Sequence, residues 1–186
     1  MTFEEAIYQL MGEDALVKIK IDDYEKTEVE LLEPQDADSR IKIRNLPQDA
    51  IVINADMFPS PKGFFRNTRS ECKRADFIII YPTKKLVIFI ELKKGKKEKE
   101  FLTNQLKGAE SVADYICSIL ENFWGKQFSF KDFDKLFYAF IDVNVKKTQT
   151  RYKGRDSRKS QNTTADNFEK LYGCRTIQFD RLVKNI

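Results

Sequence analysis

The sequence predicts an α/β fold: a central sheet covered on both faces and flanked by helices, with a β-rich segment added on the N-terminal side. Three patterns carry this expectation. Residues 75–81 (ADFIIIY) and 86–92 (LVIFIEL) are too apolar for half-exposed strands, so they read as two central strands joined by Pro82, Thr83, Lys84 and Lys85. Leu102, Leu106, Ala109, Ala113, Ile116 and Leu120 keep helical spacing between Phe101 and Phe123, and a further buried strand is expected at 136–145 (LFYAFIDVNV). Residues 15–22 (ALVKIKID) and 26–33 (KTEVELLE) alternate apolar and polar with period two, which predicts a half-exposed hairpin.

The remaining elements follow in order. Phe3, Ala6, Ile7 and Leu10 predict a short amphipathic helix over 2–11, with Thr2 placed as its cap ahead of Glu5. PQDADS (34–39) reads as a loop, RIKIRNL (40–46) as a short alternating segment and AIVINADM (50–57) as a more buried strand. Residues 58–73, rich in Pro, Gly and Arg, predict a loop or broken helix; 146–164 predicts a polar, strongly basic loop. A short helix near 165–172 and a strand or helix near 175–184 complete a single domain, with 1–49 as an N-terminal helix and β-hairpin elaboration, 50–145 as its core and 146–186 as the basic loop and C-terminal elements.

Composition removes whole classes of chemistry. With 0 histidines among 186 residues, no Ser-His-Asp or Cys-His triad, histidine metal site or imidazole base can be built. Carboxylate, lysine, tyrosine and cysteine remain, and a carboxylate-rich site favours hard cations such as Mg²⁺ or Mn²⁺ over zinc. Cys72, Cys117 and Cys174 are widely spaced and form no C-x-x-C, which predicts reduced structural thiols. The acidic start MTFEEAIYQLMGED and the absence of a long apolar run predict a cytoplasmic chain with no membrane partner. The net charge of +4 hides an asymmetry: residues 1–60 hold 6 Lys and Arg against 14 Asp and Glu, whereas 61–186 hold 27 against 15. The basic part is where a polyanion is expected to bind.

The strand 86–92 poses a chemical question, because it runs through five apolar residues and then carries Glu91, with Lys93 two positions beyond. If Pro82 to Lys85 make the turn, Tyr81 faces Leu86, and the same register sets Asp76 opposite Glu91. Such antiparallel partners have Cβ atoms about 4.5–5.5 Å apart and point to one face, and Lys93 shares that face if the strand continues. Two carboxylates so close resist ionisation unless something positive sits between them. A divalent cation meets that need with hard oxygen ligands, and it can polarise a phosphoryl oxygen while a lysine orients water or stabilises developing charge.

Asp76, a gap of 14 residues and then Glu91-Leu92-Lys93 resemble the D-x(n)-E-x-K signature of the PD-(D/E)XK nuclease superfamily. The resemblance spans roughly residues 50–145, and it implies a restriction-endonuclease-like core: a mixed central sheet flanked by helices, in which a three-strand meander precedes a helix and a further strand. It also implies a Mg²⁺-dependent or Mn²⁺-dependent nuclease, with Asp76 and Glu91 as metal ligands, the Leu92 carbonyl assisting, and Lys93 catalytic. Gln105 stands where some members carry a glutamine on the following helix. Ala75 replaces the proline that many members have before the aspartate. Glu4, Glu5 and Glu71 are all candidates for a further upstream glutamate.

The expected substrate is nucleic acid, DNA in the first instance, with a protein partner or a homodimer as further expectations. No base-reading motif selects strandedness or mode of attack. Lys146, Lys147, Arg151, Lys153 and Arg155, around Tyr152, are expected to track phosphates with sequence-independent, salt-sensitive affinity. Two rival readings are a catalytically inactive nucleic-acid-binding module and a partner subunit of a defence or mobile-element complex that uses the acidic N-terminal part as its interface.

Overall fold

The computed structural model describes residues 1–21, 25–33, 36–141 and 162–184. Thr2 and Glu5 form the capping box that starts α1 (Phe3–Leu10). A first strand, β1 (Lys20–Ile21), leads to β2 (Thr27–Glu33), β3 (Asp36–Arg44) and β4 (Ile51–Asn54). The hairpin β5 (Phe77–Tyr81) and β6 (Leu86–Lys93) follows, then α2 (Lys99–Phe123) and β7 (Asp134–Ile141). The chain continues through β8 (Glu169–Tyr172), β9 (Thr176–Gln178) and α3 (Phe179–Leu182).

The strands make two mixed sheets. One has the order β4-β5-β6-β7-β8, with β4, β5 and β6 antiparallel and β6, β7 and β8 parallel. The other has the order β1-β2-β3-β9, antiparallel except where β3 meets β9. Both faces of the five-stranded sheet are therefore covered. On one face Ile78, Ile80, Val87, Phe89 and Phe137 pack with Ala6 and Ile7 of α1 and with Leu106, Ala109, Ala113 and Leu120 of α2. On the other, Ile79, Ile88, Ile90, Leu92 and Phe140 pack with Val29, Leu31, Ile41 and Ile43 of the smaller sheet. Burial on both sides explains why β5 and β6 are continuous apolar runs rather than alternating ones.

The register of the central hairpin is the one expected, from Tyr81 against Leu86 to Phe77 against Ile90, with Pro82–Lys84 forming a 3-10 turn. Elsewhere the structure corrects the reading. The strand expected at 15–22 is reduced to Lys20–Ile21, because Leu16 bridges to Ile53 and Val17 N donates to Val52 O, both in the larger sheet. The principal N-terminal hairpin is β2 with β3, and β3 begins at Asp36, inside the segment expected to be a loop. Residues 165–172 hold a 3-10 turn and β8 in place of a helix; β8 completes the sheet beside β7. The C-terminal segment contains both of the expected alternatives, β9 and α3. The three cysteines are free. Among the described residues no helix is long and apolar enough to cross a membrane.

Candidate functional site

Asp76 lies one residue before β5, directly beyond the last ladder pair of the hairpin, and Glu91 is the sixth residue of β6. Its main chain stays in line with β4, since Ala55 N donates to Asp76 O at 2.9 Å, while its side chain turns to the neighbouring strand and accepts from Leu92 N at 2.7 Å. In a strand the N–H and C=O of one residue point to the same side. The Leu92 carbonyl is thus directed to the flank where Asp76 stands, and its side chain is buried on the opposite face of the sheet.

Glu91 is fully buried, on the face covered by α2. Its Oε1 accepts from Lys93 Nζ at 2.9 Å and from Gln105 Nε2 of α2 at 3.3 Å. Its partner on β7 is the small residue Ala139. Lys170 of β8 pairs with Ala139 in turn, so one row across the sheet reads Glu91, Ala139, Lys170.

Sequence reasoning missed one member of this cluster. Glu33, the last residue of β2, comes from the smaller sheet and meets Lys93 Nζ at 3.3 Å. One signal could have found it: Val29, Leu31 and Glu33 follow period two, so an acid occupies the core-facing series of an amphipathic strand. Asp56 is a further acid felt by Asp76, and it is held by Arg74, whose Nη2 lies 3.3 Å from Asp56 Oδ1. Of the three upstream candidates, Glu5 is engaged with Thr2 N in the α1 cap, and Glu71 accepts from Thr68 N and Arg69 N in its own loop. Glu4 lies on α1. Lys146, Lys147, Arg151, Lys153 and Arg155 lie outside the described residues.

The electrostatics of the pair follow from burial and proximity. Burial pushes the Asp76 carboxyl up to about 6; Lys93 and the Leu92 N–H oppose this, and Glu33 and Asp56 add to it. Burial and the charge of Asp76 raise Glu91 well above the usual carboxylate range, against Lys93 and Gln105. Burial alone would lower Lys93, but Glu91 and Asp76 outweigh it and hold the ammonium above its ordinary value. Beside these carboxylates Lys93 is held as a positive charge and hydrogen-bond donor.

The donor set suits a hard divalent cation. Glu91 Oε2 and Gln105 Oε1 are buried acceptors with no hydrogen-bond partner among the described residues, a condition that bound water or an ion relieves. Asp76, Glu91 and the Leu92 carbonyl offer only oxygen, the ligand type of Mg²⁺ and Mn²⁺. Among the described residues no three Cys, Asp or Glu side chains form a group able to hold a metal ion. A two-carboxylate site fits Mg²⁺ best, since that ion usually keeps several waters and takes only one or two carboxylates.

Two elements brace this arrangement. Gly108 of α2 passes so close to the chain before β5 that a Cβ there would stand 1.6 Å from Lys73 O. One helical turn earlier, Gln105 reaches Glu91, so the same close passage sets both the helix and the Asp76 segment. Lys73 Nζ and Lys97 Nζ sit 5.7 Å and 5.8 Å from the centre of the Phe101 ring, one helical turn before Gln105 on α2. In comparisons with protein-family models, curated proteins and solved structures, no match is found for the chain.

Proposed function

We propose that the chain is a metal-dependent nuclease of the PD-(D/E)XK type, with a restriction-endonuclease-like core over roughly residues 50–145, hydrolysing phosphodiester bonds with DNA as its leading substrate. The observation that carries this reading is a pair of buried carboxylates, Asp76 and Glu91, converging beside Lys93 with acceptor atoms left unsatisfied. The order of elements supports it: an antiparallel meander β4-β5-β6, then α2, then β7 parallel to β6. So do the cations Lys73 and Lys97 beside Phe101, and the run of lysines at 93–99 that follows Glu91.

Asp76, Glu91 and the Leu92 carbonyl would hold the cation, Mg²⁺ or Mn²⁺. When bound, it supplies Lewis-acid polarisation of a phosphoryl oxygen and acidifies water. Lys93 keeps its proton, donates to the phosphate oxygen on which charge develops and orients the attacking water. Gln105 holds Glu91 Oε1 in place and offers its free carbonyl to that water. The apolar cover around Glu91 excludes bulk solvent, which strengthens each of these interactions.

The test is cleavage of linear duplex, supercoiled plasmid, single-stranded DNA and RNA in Mg²⁺, Mn²⁺ or EDTA, by wild type, Glu91→Gln and Lys93→Met. The expected result is metal-dependent cutting of at least one substrate, slowed by about 10²–10³ in each variant. Binding without cutting under every condition would favour the inactive-module reading instead. Cutting by both variants at the wild-type rate would remove the site assignment.

A further inference from the structure

The loop between β4 and β5 carries a surface that hydrolysis at Asp76 and Glu91 does not use. Phe64 is 85% exposed and Phe65 48% exposed, with their rings edge to face at a centroid separation of 5.0 Å. Beneath them lies a groove of about 570 Å³, lined by Phe58, Phe65, Lys73, Gly108 and Tyr115 among others. Tyr115, on α2, is 54% exposed and meets Phe58 edge-on at 5.8 Å. Bulky aromatic rings left in water mark an interaction site.

Charge identifies the partner. Residues 58–73 contain Lys62, Arg66, Arg69 and Lys73, all exposed, against the single acid Glu71, whose carboxylate is engaged by Thr68 N and Arg69 N. A partner protein would need a matching acidic rim around an apolar insert. A nucleic acid strand with unstacked bases supplies both parts in one polymer, flat π-faces for the rings and a phosphate for each cation. Paired bases do not fit this demand, because their faces are covered by their neighbours in the stack.

Position ties the groove to the carboxylates. Gly108 lines it, while Gln105, one turn away on α2, reaches Glu91; Arg74, also a lining residue, is two residues from Asp76. We propose that this groove binds an unpaired nucleotide segment, with bases stacked on Phe64, Phe65 and Tyr115 and phosphates on Lys62, Arg66, Arg69 and Lys73. Resting on the nuclease reading, it makes the substrate class a nucleic acid with a single-stranded portion next to the scissile bond. Binding itself does not depend on that reading.

The experiment is fluorescence anisotropy in EDTA, where cutting is blocked, with labelled single-stranded DNA, single-stranded RNA and blunt duplex DNA. Wild type is compared with Phe64→Ala, Tyr115→Ala and Phe64→Trp; both positions are exposed, so the fold is not at stake. One or both single strands should bind at least about tenfold more tightly than duplex, and each alanine should weaken that binding by about 5- to 100-fold, as expected for loss of one stacked base. Phe64→Trp should restore it, and duplex binding should stay unchanged. Equal affinity for duplex and single strands, or alanine variants that bind as wild type does, would overturn the proposal. A parallel Mg²⁺ arm separates the two claims. Groove-dependent binding with no cutting leaves this proposal standing and removes the nuclease; cutting of every substrate equally by wild type and both alanine variants does the reverse.

Discussion

Asp76 shows what a buried carboxylate does to stability. Its folded-state value of about 6 lies above the ordinary value of 3.8, so the folded chain holds this proton more tightly than the unfolded chain. Its stabilising contribution is complete below about pH 4 and is lost as the pH rises through about 6. Asp76→Asn keeps an oxygen to accept from Leu92 N and removes the charge. Heat unfolding should show this variant more stable than wild type by about 1–3 kcal/mol at pH 8, with the advantage largely gone at pH 4.5. An equal difference at both pH values would mean that burial of charge is not what the substitution relieves. At this scale much is legible in the sequence, since facing register puts Asp76, Glu91 and Lys93 together, and the resemblance to the nuclease superfamily nominates Gln105. Glu33 is not, because the contact between β2 and Lys93 depends on how one sheet lies on another, which strand periodicity does not contain.

At the scale of elements, the site depends on how closely α2 can approach the chain that leads into β5. Glycine inside a helix costs about 1 kcal/mol relative to alanine, and here the close passage by Lys73 O requires it. Gly108→Ala should therefore destabilise the fold, by about 1–3 kcal/mol or more, in spite of the better helix propensity of alanine. Thermal unfolding checks this; a rise in melting temperature would show that the helix does not pack as described. The apolar runs of β5 and β6 were readable because both faces are buried, and the spacing within α2 because one face is. The start of β3 is hidden because its first residues, DADS, have the composition of a turn, and tertiary pairing with β2 overrides that local preference. The strand within residues 165–172 is hidden from the sequence for the same reason: it is fixed by the neighbouring β7, not by any alternation of its own.

At the scale of the whole molecule, residues before 50 are not an appendage. Val29, Leu31, Ile41 and Ile43 cover one face of the five-stranded sheet, and α1 contributes Ala6 and Ile7 to the cover of the other. The same arrangement brings Glu33, from the acidic part of the sequence, to Lys93 of the candidate site. The two-carboxylate site is tested by the rate of phosphodiester cleavage in Mg²⁺ by wild type beside Asp76→Asn, each checked for folding by its melting curve. The expected result is a variant that is at least as heat-stable as wild type and slower by about 10² or more. A folded Asp76→Asn that cuts at the wild-type rate, or a wild type that cuts none of duplex, single-stranded or RNA substrates, would contradict it.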